Sequence, residues 1–487
     1  MNVAMSLDLD GFTSDITGGV VSVSVSHEHR LLKLARNLPW DAMGNLILPD
    51  LQNTKKGCWW MGRPLSVRIH LGIYVLQKMF DMTDRMAEHH VRDNAAFQIF
   101  CGNGVVKKWH VPDHTKIEEF RSRLTAETQR KLSNLIAQQA VDLGYGNPAE
   151  LDIDSTVQDA NIGYPTLVNL IIKIGILATT VAKGLNQLCH AGARHYCVGL
   201  TELKRIALYY FTLKRQDAAA SLLHTVKQEL WEKAYASILP ILMNLHQLTS
   251  HVQSGKYWAL RRAMEILRWR GAQLLENMHS YLFEGIKTKQ IYSLHAYDVT
   301  CINKGKLNQK LQFGRVYQLG RIGGNFLIVD ECTSVHMPDA SSLPAMVVLH
   351  QELFGKNVLE SIATDKGYYS WENEHLLMKE GVKDIYLPRP SRYLKAAPEK
   401  TSGLIRQLLH NRRAGIEPLI GHAKHGGQLR RSRMKSDETT KSAGYAAIFG
   451  FNLRQLTRHV AGEICPKDEK GAKNAVNDSQ VDEKVTA

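Results

Sequence analysis

The chain has 487 residues, 44% of them hydrophobic, which suits a folded protein of roughly two to four domains and excludes a disordered one. Its 61 Lys and Arg against 47 Asp and Glu give a net charge of +14; this favours a polyanionic partner, a property shared by nucleic-acid-binding, ribosomal and membrane-surface proteins. Seven cysteines, at 58, 101, 189, 197, 301, 332 and 465, contain no CxxC pair, so reduced, buried thiols are expected, and the acidic start MNVAMSLDLDGFTSD lacks a secretory apolar core, so a cytoplasmic protein is expected.

Residues 1 to about 60 read as an extended arm with a short helix near Glu28–Arg36 and a loop, LPDLQNTKKGCWW, whose Trp59 and Trp60 are packing residues. From Ser66, apolar Ile69, Ile73, Leu76, Met79 and Phe80 recur at helical spacing; Asp81-Met82-Thr83 then gives a turn and a helix start, with a second helix over Thr83–His90. The pair reads as a DNA-binding helix-turn-helix or as two helices of a plain core. A helix starting near Thr115 is expected over Lys116–Leu143, and a strand over Glu150–Val157. Leu167–Ala182 is the most apolar stretch, but Lys173 interrupts it and it falls short of the roughly 20 residues a membrane span needs, so it reads as a buried helix. Residues 167–289 are helical by pattern. Their basic groups, Lys204, Arg205, Lys214, Arg215, Arg261, Arg262, Arg268 and Arg270 with Trp258 and Trp269, either follow a phosphate backbone or lie on solvated helix faces. Strands return at Gln290–Ile302, Leu311–Leu319 and Asn325–Val329. After them come a helix over Ser341–Leu353, a strand before Asp365, a helix over Trp371–Glu380, a strand at Lys383–Leu387 and a helix near Glu417. The tail, 465–487, is polar and charge-mixed and reads as disordered.

Three acids stand out: Asp154 in LDIDSTVQDANIGYPT, Asp365 in IATDKGYYS and Glu417 in HNRRAGIEPLIGHAK. The first two follow short β-favouring runs, which places each at or near a strand end. Arg413, Glu417 and Lys424 are spaced four and seven residues apart, so at roughly 100° per residue they share one helical face. Pro418 signals a kink or restart there, putting Glu417 in a first turn. Three carboxylates brought together repel unless something neutralises them, as divalent metal would. Asp152 points to the same strand face as Asp154 and is its rival; Asp159 reads as a loop acid. His410, His422 and His425 have no cysteine partner and no HExxH pattern, so they read as phosphate contacts or solvent-facing residues, not as a zinc site.

At these residues the chain resembles the DDE-type transposases of bacterial insertion sequences, in the large group numbered five. The segment from Asp154 through Thr166 is similar to that family's D-(S/A)-T-x-x-x-A-N-I-x-Y-P-T-D pattern, Asp365-Lys366-Gly367-Tyr368 to its D-K-G-Y, and Arg413, Glu417 and Lys424 to its Y-x2-R-x3-E-x6-K. MGRPLSVRIHLGIYVLQKMFDMTDRMAEHHVRDNAAFQIFCG resembles its amino-terminal helical domain, and IYSLHAYDVTCINKGKLNQKLQFGRV its second and third strands. Two positions depart: Leu167 stands where the family usually has aspartate, and His410 where it has tyrosine.

The resemblance implies an α/β fold: an RNase H-like catalytic core at 145–166 and 289–462, an all-helical N-terminal DNA-binding domain at 1–130, and a helical insertion at 167–288 after the first core strand. It implies a transposase that binds the terminal inverted repeats of its element, cleaves there and joins the ends to target DNA. Two Mg²⁺ ions, for which Mn²⁺ substitutes, would be held by Asp154 as the bridge, Asp365 on one ion and Glu417 on the other, carboxylate oxygen being the donor Mg²⁺ prefers. Arg413, Lys424, His410 and Lys366 would contact DNA. Two DNA ends imply a homodimer, and the setting is the cytoplasm at the nucleoid, with no membrane. A catalytically decayed or domesticated DNA-binding relative and an RNase H-fold metal-dependent nuclease are the alternatives.

Overall fold

The computed structural model describes residues 3–7, 21–52, 67–102, 111–188, 195–251, 257–288, 290–306, 309–332, 337–390, 403–434 and 436–464. They form a mixed α/β protein, mostly helical, with a mixed sheet. The chain divides into two units, one of Met1–Asp159, Arg315–Met434 and Glu438–Ala487, the other of Ala160–Gly314 with Lys435–Asp437.

In the first unit, strands β1 (Val3–Leu7) and β2 (Val21–Val25) pair antiparallel where an extended arm is expected. Helix α1 (Arg30–Asn37) follows, and α2 (Trp40–Gln52) takes in residues that read as loop. Met43, Ile47 and Leu51 recur every fourth residue and are buried, and that stripe outweighs the loop signal of Pro49. Trp59, Trp60 and the tail 465–487 lie outside the described residues. Helices α3 (Val67–Met79) and α4 (Asp84–Asp93) flank the turn expected from sequence, and Thr83 Oγ1 accepts the Met86 N–H at 3.2 Å. After α5 (Ala95–Phe100), the single helix expected over 116–143 is two, α6 (His114–Arg123) and α7 (Ala126–Asp142). Asp113 Oδ1 accepts the N–H groups of Thr115 and Lys116 at 2.8 and 3.0 Å, so α6 starts before Thr115, and Thr125 caps α7. Strand β3 (Asn147–Asp159) closes this stretch.

The second unit holds α8 (Leu167–Leu188), α9 (Leu200–Arg215), α10 (Ala220–His251), α11 (Trp258–Ile266), a π-helical turn at Leu267–Gly271 and α12 (Ala272–Phe283). Although α8 lacks the aspartate at 167, Thr166 Oγ1 accepts the Asn169 N–H at 3.2 Å and starts it. Among the described residues α8 is the one helix long and apolar enough to cross a membrane. Its Ile171, Ile174, Ala178, Val181 and Leu185 lie in the unit's core with Leu203, Leu230 and Leu275. Strand β4 (Thr300–Lys306) pairs antiparallel with the start of β5 (Gln309–Gly323). The strand expected from Gln290 begins only at Thr300. Ser293 Oγ accepts the His295 and Ala296 N–H groups at 3.2 Å, and the Asp437 carboxylate accepts those of Tyr297 and Asp298 at 2.8 and 3.4 Å, so this backbone turns and makes no ladder.

The first unit resumes with β6 (Phe326–Val329), α13 (Asp339–Phe354), β7 (Ser361–Ala363), a 3-10 turn at Lys366–Tyr368, α14 (Trp371–Lys379), β8 (Asp384–Tyr386), α15 (Gly403–Ala414), α16 (Ile416–His425) and α17 (Asp437–Val460). Its strand order is β6-β5-β3-β7-β8; β7 runs parallel to β3 and to β8, and β6 antiparallel to β5. Leu34, Ile47, Leu76 and Ile136 from the early helices share one core with Ile153, Ile328, Ile362 and Phe449. Among the described strands β6 pairs only with β5. On its other side Asn134 accepts the Val329 N–H at 2.9 Å and donates to its C=O at 3.0 Å, and Asn452 does the same for Leu327 at 2.9 and 2.7 Å. Two side-chain amides thus satisfy peptide groups that a further strand would otherwise take. Of the described cysteines, Cys101 and Cys332 are buried and Cys301 partly so, as expected, whereas Cys197 is exposed; these four form no disulfide.

Candidate active site

Leu151 and Ile153 on β3 face the core, which turns Asp152 and Asp154 to the opposite face, toward α15 and α16. The two acids differ in what surrounds them. Asp152 is 2% exposed and held by two arginines: Arg412 Nε donates to Oδ1 at 2.8 Å, and Arg321 Nη1 lies 3.2 Å from Oδ2. Arg412 also donates to Ser361 Oγ at 2.7 Å, and Arg321 Nη1 donates to the Arg412 C=O at 2.7 Å. Burial pushes the Asp152 carboxyl up while the arginines pull it down. Its oxygens are occupied, and the group ties β3 to the end of α15.

Asp154 has no such partners. Its Oδ1 accepts the Ser155 N–H at 2.8 Å, and the nearest cation, Arg413 Nη2, stands 3.9 Å from Oδ2. Burial, helped by Asp365 and Glu417 and opposed by Ser155 and Arg413, pushes its carboxyl from the usual 3.8 to about 6. A half-hidden carboxylate under the field of two others is what the rival positions on β3 do not offer. The sign of its effect on stability follows. Below pH about 4 Asp154 is protonated in both folded and unfolded chains; as pH rises toward 6 only the unfolded chain releases the proton, so stability falls and the full penalty is present above 6. Without divalent metal, Asp154→Asn should therefore match wild type in melting near pH 4 and be more stable at pH 7.5, by on the order of 2–3 kcal/mol. Equal melting temperatures at pH 7.5 would contradict this picture of the site.

Asp365 follows β7 and caps the 3-10 turn, its Oδ1 accepting the Gly367 N–H at 2.8 Å. The Tyr368 hydroxyl, buried beneath, donates to Gln318 Oε1 at 2.6 Å. Burial raises the Tyr368 phenol, and Asp339, Asp154 and Asp365 raise it further, so three carboxylates share its surroundings. Asp339 was not singled out from sequence: as the first residue of α13, after Pro338, it looks like an ordinary helix-start acid. Only the packing of Gln318, whose Nε2 donates to Asp339 Oδ1 at 3.3 Å, brings it here.

The helix expected through Glu417 is broken at Gly415, the outcome Pro418 signals, and Glu417 lies in the first turn of α16. Gly415 keeps helical angles, φ −69° and ψ −14°, so the four-residue step survives and Arg413 Nη2 reaches Glu417 Oε1 at 3.4 Å. A Cβ at 415 would stand 2.7 Å from Arg321 Nη1, so the glycine leaves room for the arginine that supports Asp152. Arg413 therefore joins Asp154 and Glu417, while the Glu417 side chain stays 64% exposed. Lys424 lies in the last turn of α16, two turns from Glu417. Lys366 is exposed beside Asp365, and His410, also exposed, meets the Tyr386 ring edge-on at 5.8 Å. Neither Lys366 nor His410 makes a hydrogen bond or ion pair with the three acids among the described residues. No group of three or more His, Cys, Asp or Glu among the described residues is placed to hold a metal ion; the acids share an electrostatic field without forming a closed set of ligands.

In the second unit Trp258 and Trp269 are 71% and 69% exposed. Arg268 lies over Trp269 at 4.9 Å and Arg270 over Tyr297 at 4.5 Å, while Arg261 pairs with Glu265 at 3.3 Å.

Residues 21–123, from β2 through α6, match the family model described as Transposase domain (DUF772). This supports a transposase, an enzyme that acts on DNA. No curated protein and no solved structure matches the chain.

Proposed function

We propose that the chain is a DDE-type transposase with an RNase H-like core, binding the terminal inverted repeats of an insertion sequence, cutting there and joining the ends to target DNA. The observation that carries this reading is Asp154: a carboxyl pushed to about 6 in the field of Asp365 and Glu417, in a chain whose residues 21–123 match a transposase domain. The order β6-β5-β3-β7-β8, with β6 antiparallel to β5 and β7 parallel to both β3 and β8, supports an RNase H-like core.

The donors fit Mg²⁺, being carboxylate oxygens with no soft ligand among them. Asp154, Asp365 and Glu417 would hold two ions, which when bound polarise a phosphodiester and lower the pKa of an attacking water or hydroxyl. Arg413, between Asp154 and Glu417, holds a phosphate oxygen in place. Lys424, Lys366 and His410 extend the phosphate contacts, and a dimer at the nucleoid brings two ends together.

The test is incubation of the full-length protein and Mg²⁺ with supercoiled plasmid carrying the element's ends. Expected products are cuts at the two ends and joined molecules. Cutting without regard to the ends, and without joining, would indicate a nuclease; binding without cutting, a decayed relative.

A further inference from the structure

A cavity of about 240 Å³ in the first unit, lined among others by Lys78, Arg121, Ser122, Gln129, Gly427 and Ser442, lies apart from the acids. Gly426 ends α16, so the cavity lies roughly 14 Å along that helix from Glu417, at about 1.5 Å per residue. At roughly 30 Å³ per water in the liquid, it has room for a tetrahedral oxyanion with some water.

Its cations are incompletely paired. Lys78 Nζ has no hydrogen-bond or ion-pair partner among the described residues and lies 5.2 Å from the Tyr74 ring centroid. Burial pushes the Lys78 ammonium down to about 8, and Arg121 pushes the same way against Asp84 and Asp81. Arg121 gives Nε and Nη2 to Asp84 at 3.1 and 2.9 Å, which leaves Nη1 unbonded. Behind the Gly426 wall, Arg454 Nη1 donates to Met79 C=O and Gly426 C=O at 3.1 and 3.3 Å, while its buried Nη2 has no partner. A Cβ on Gly426 would lie 2.2 Å from that Nη2, so a larger residue there would displace the guanidinium. Of the nearby acids, Asp84 is bound to Arg121, and Asp81 and Glu118 line the cavity as exposed residues. Asp84 neutralises Arg121, so Lys78 in the lining and Arg454 Nη2 behind it are the cationic groups left without a bonded carboxylate. A buried guanidinium nitrogen left without a partner, with a partnerless ammonium nearby on a polar cavity, costs free energy that an anion would recover.

We infer that this cavity is a phosphate site, and that a backbone phosphate of bound DNA fills it between helices α3 and α6 of the transposase-domain segment and helix α17. Free phosphate has the same chemistry, and the test separates the two sources. Nothing in the test depends on cleavage, so it stands or falls separately from the reading of the acids.

Full-length wild type, Lys78→Met and Ser442→Glu would be compared in two measurements: melting in inorganic phosphate against chloride at equal ionic strength, and the salt dependence of binding to a random-sequence duplex. Lys78→Met should melt no lower than wild type, which a structural lysine would not allow. For a DNA phosphate, both variants bind the duplex several-fold more weakly and the slope of affinity against salt falls by about one. For free phosphate as occupant, phosphate raises the wild-type melting temperature, both variants lose that rise, and the salt slope is unchanged; the site stands and its DNA assignment falls. If Lys78→Met does not fold, Ser442→Glu decides alone, because it sets a carboxylate on the cavity wall. Wild-type phosphate response and wild-type salt slope in a folded Ser442→Glu would overturn the site.

Discussion

Asp154→Asn, Asp365→Asn and Glu417→Gln will each lower Mg²⁺-dependent cleavage of end-bearing supercoiled DNA by at least ~10³-fold, on the scale of losing charge stabilisation at a reacting centre. Affinity for the same DNA should not fall, since each change removes a negative charge beside a polyanion. The three variants differ in folding, and that separates chemistry from stability. Glu417 is 64% exposed, so Glu417→Gln should melt with wild type, whereas Asp154→Asn should melt higher at neutral pH because an unfavourably buried charge has gone. Any one of the three cutting at the wild-type rate would remove that residue from the mechanism.

Asp152→Asn will behave differently, although it lies on the same strand face. The change leaves Arg321 and Arg412 without their charged partner, and breaking a buried pair this way costs about 3–5 kcal/mol. Melting should drop by roughly 5–10 °C for a unit of this size. At low temperature, where the variant is folded, cleavage should persist within about tenfold of wild type, the loss coming from a less firmly held α15 end. Replacing Asp152, Arg321 and Arg412 together by apolar residues of similar volume should recover most of the melting loss. An Asp152→Asn protein with unchanged melting and no cleavage would transfer the metal-binding role from Asp154 to Asp152.

How far the sequence was legible depends on the range of the interactions. The Thr83 cap, the Asp365 turn and the break near Glu417 are set by neighbours a few residues apart, and side-chain type and spacing reveal them. The end of the helix before Leu124 had a local signal too, Thr125 followed by a second helical stripe, but continuous amphipathic patterning across 116–143 masks it. Other features arise from distant segments. Two acids on alternate residues of β3 look equivalent until Arg412 arrives from 260 residues further on and occupies one of them. Asp339 approaches the site through Gln318, and Lys78 and Ser442 share only the lining of one cavity, so neither placement leaves a trace in local pattern. The strand expected from Gln290 failed because Asp437, far along the chain, holds its backbone in a turn.

The asparagines beside β6 bear on how the molecule meets other chains. An open strand edge invites pairing with any extended segment, whether a partner's tail or another copy of the same protein. Here the peptide groups of Leu327 and Val329 are answered from within by Asn452 and Asn134. This border of the sheet is therefore closed to recruitment by strand addition. The seal is also conditional on α17 being in place. A chain cut short before Asn452 would present a bare Leu327 peptide, and such a product would tend to aggregate before it could compete with the intact protein for DNA ends.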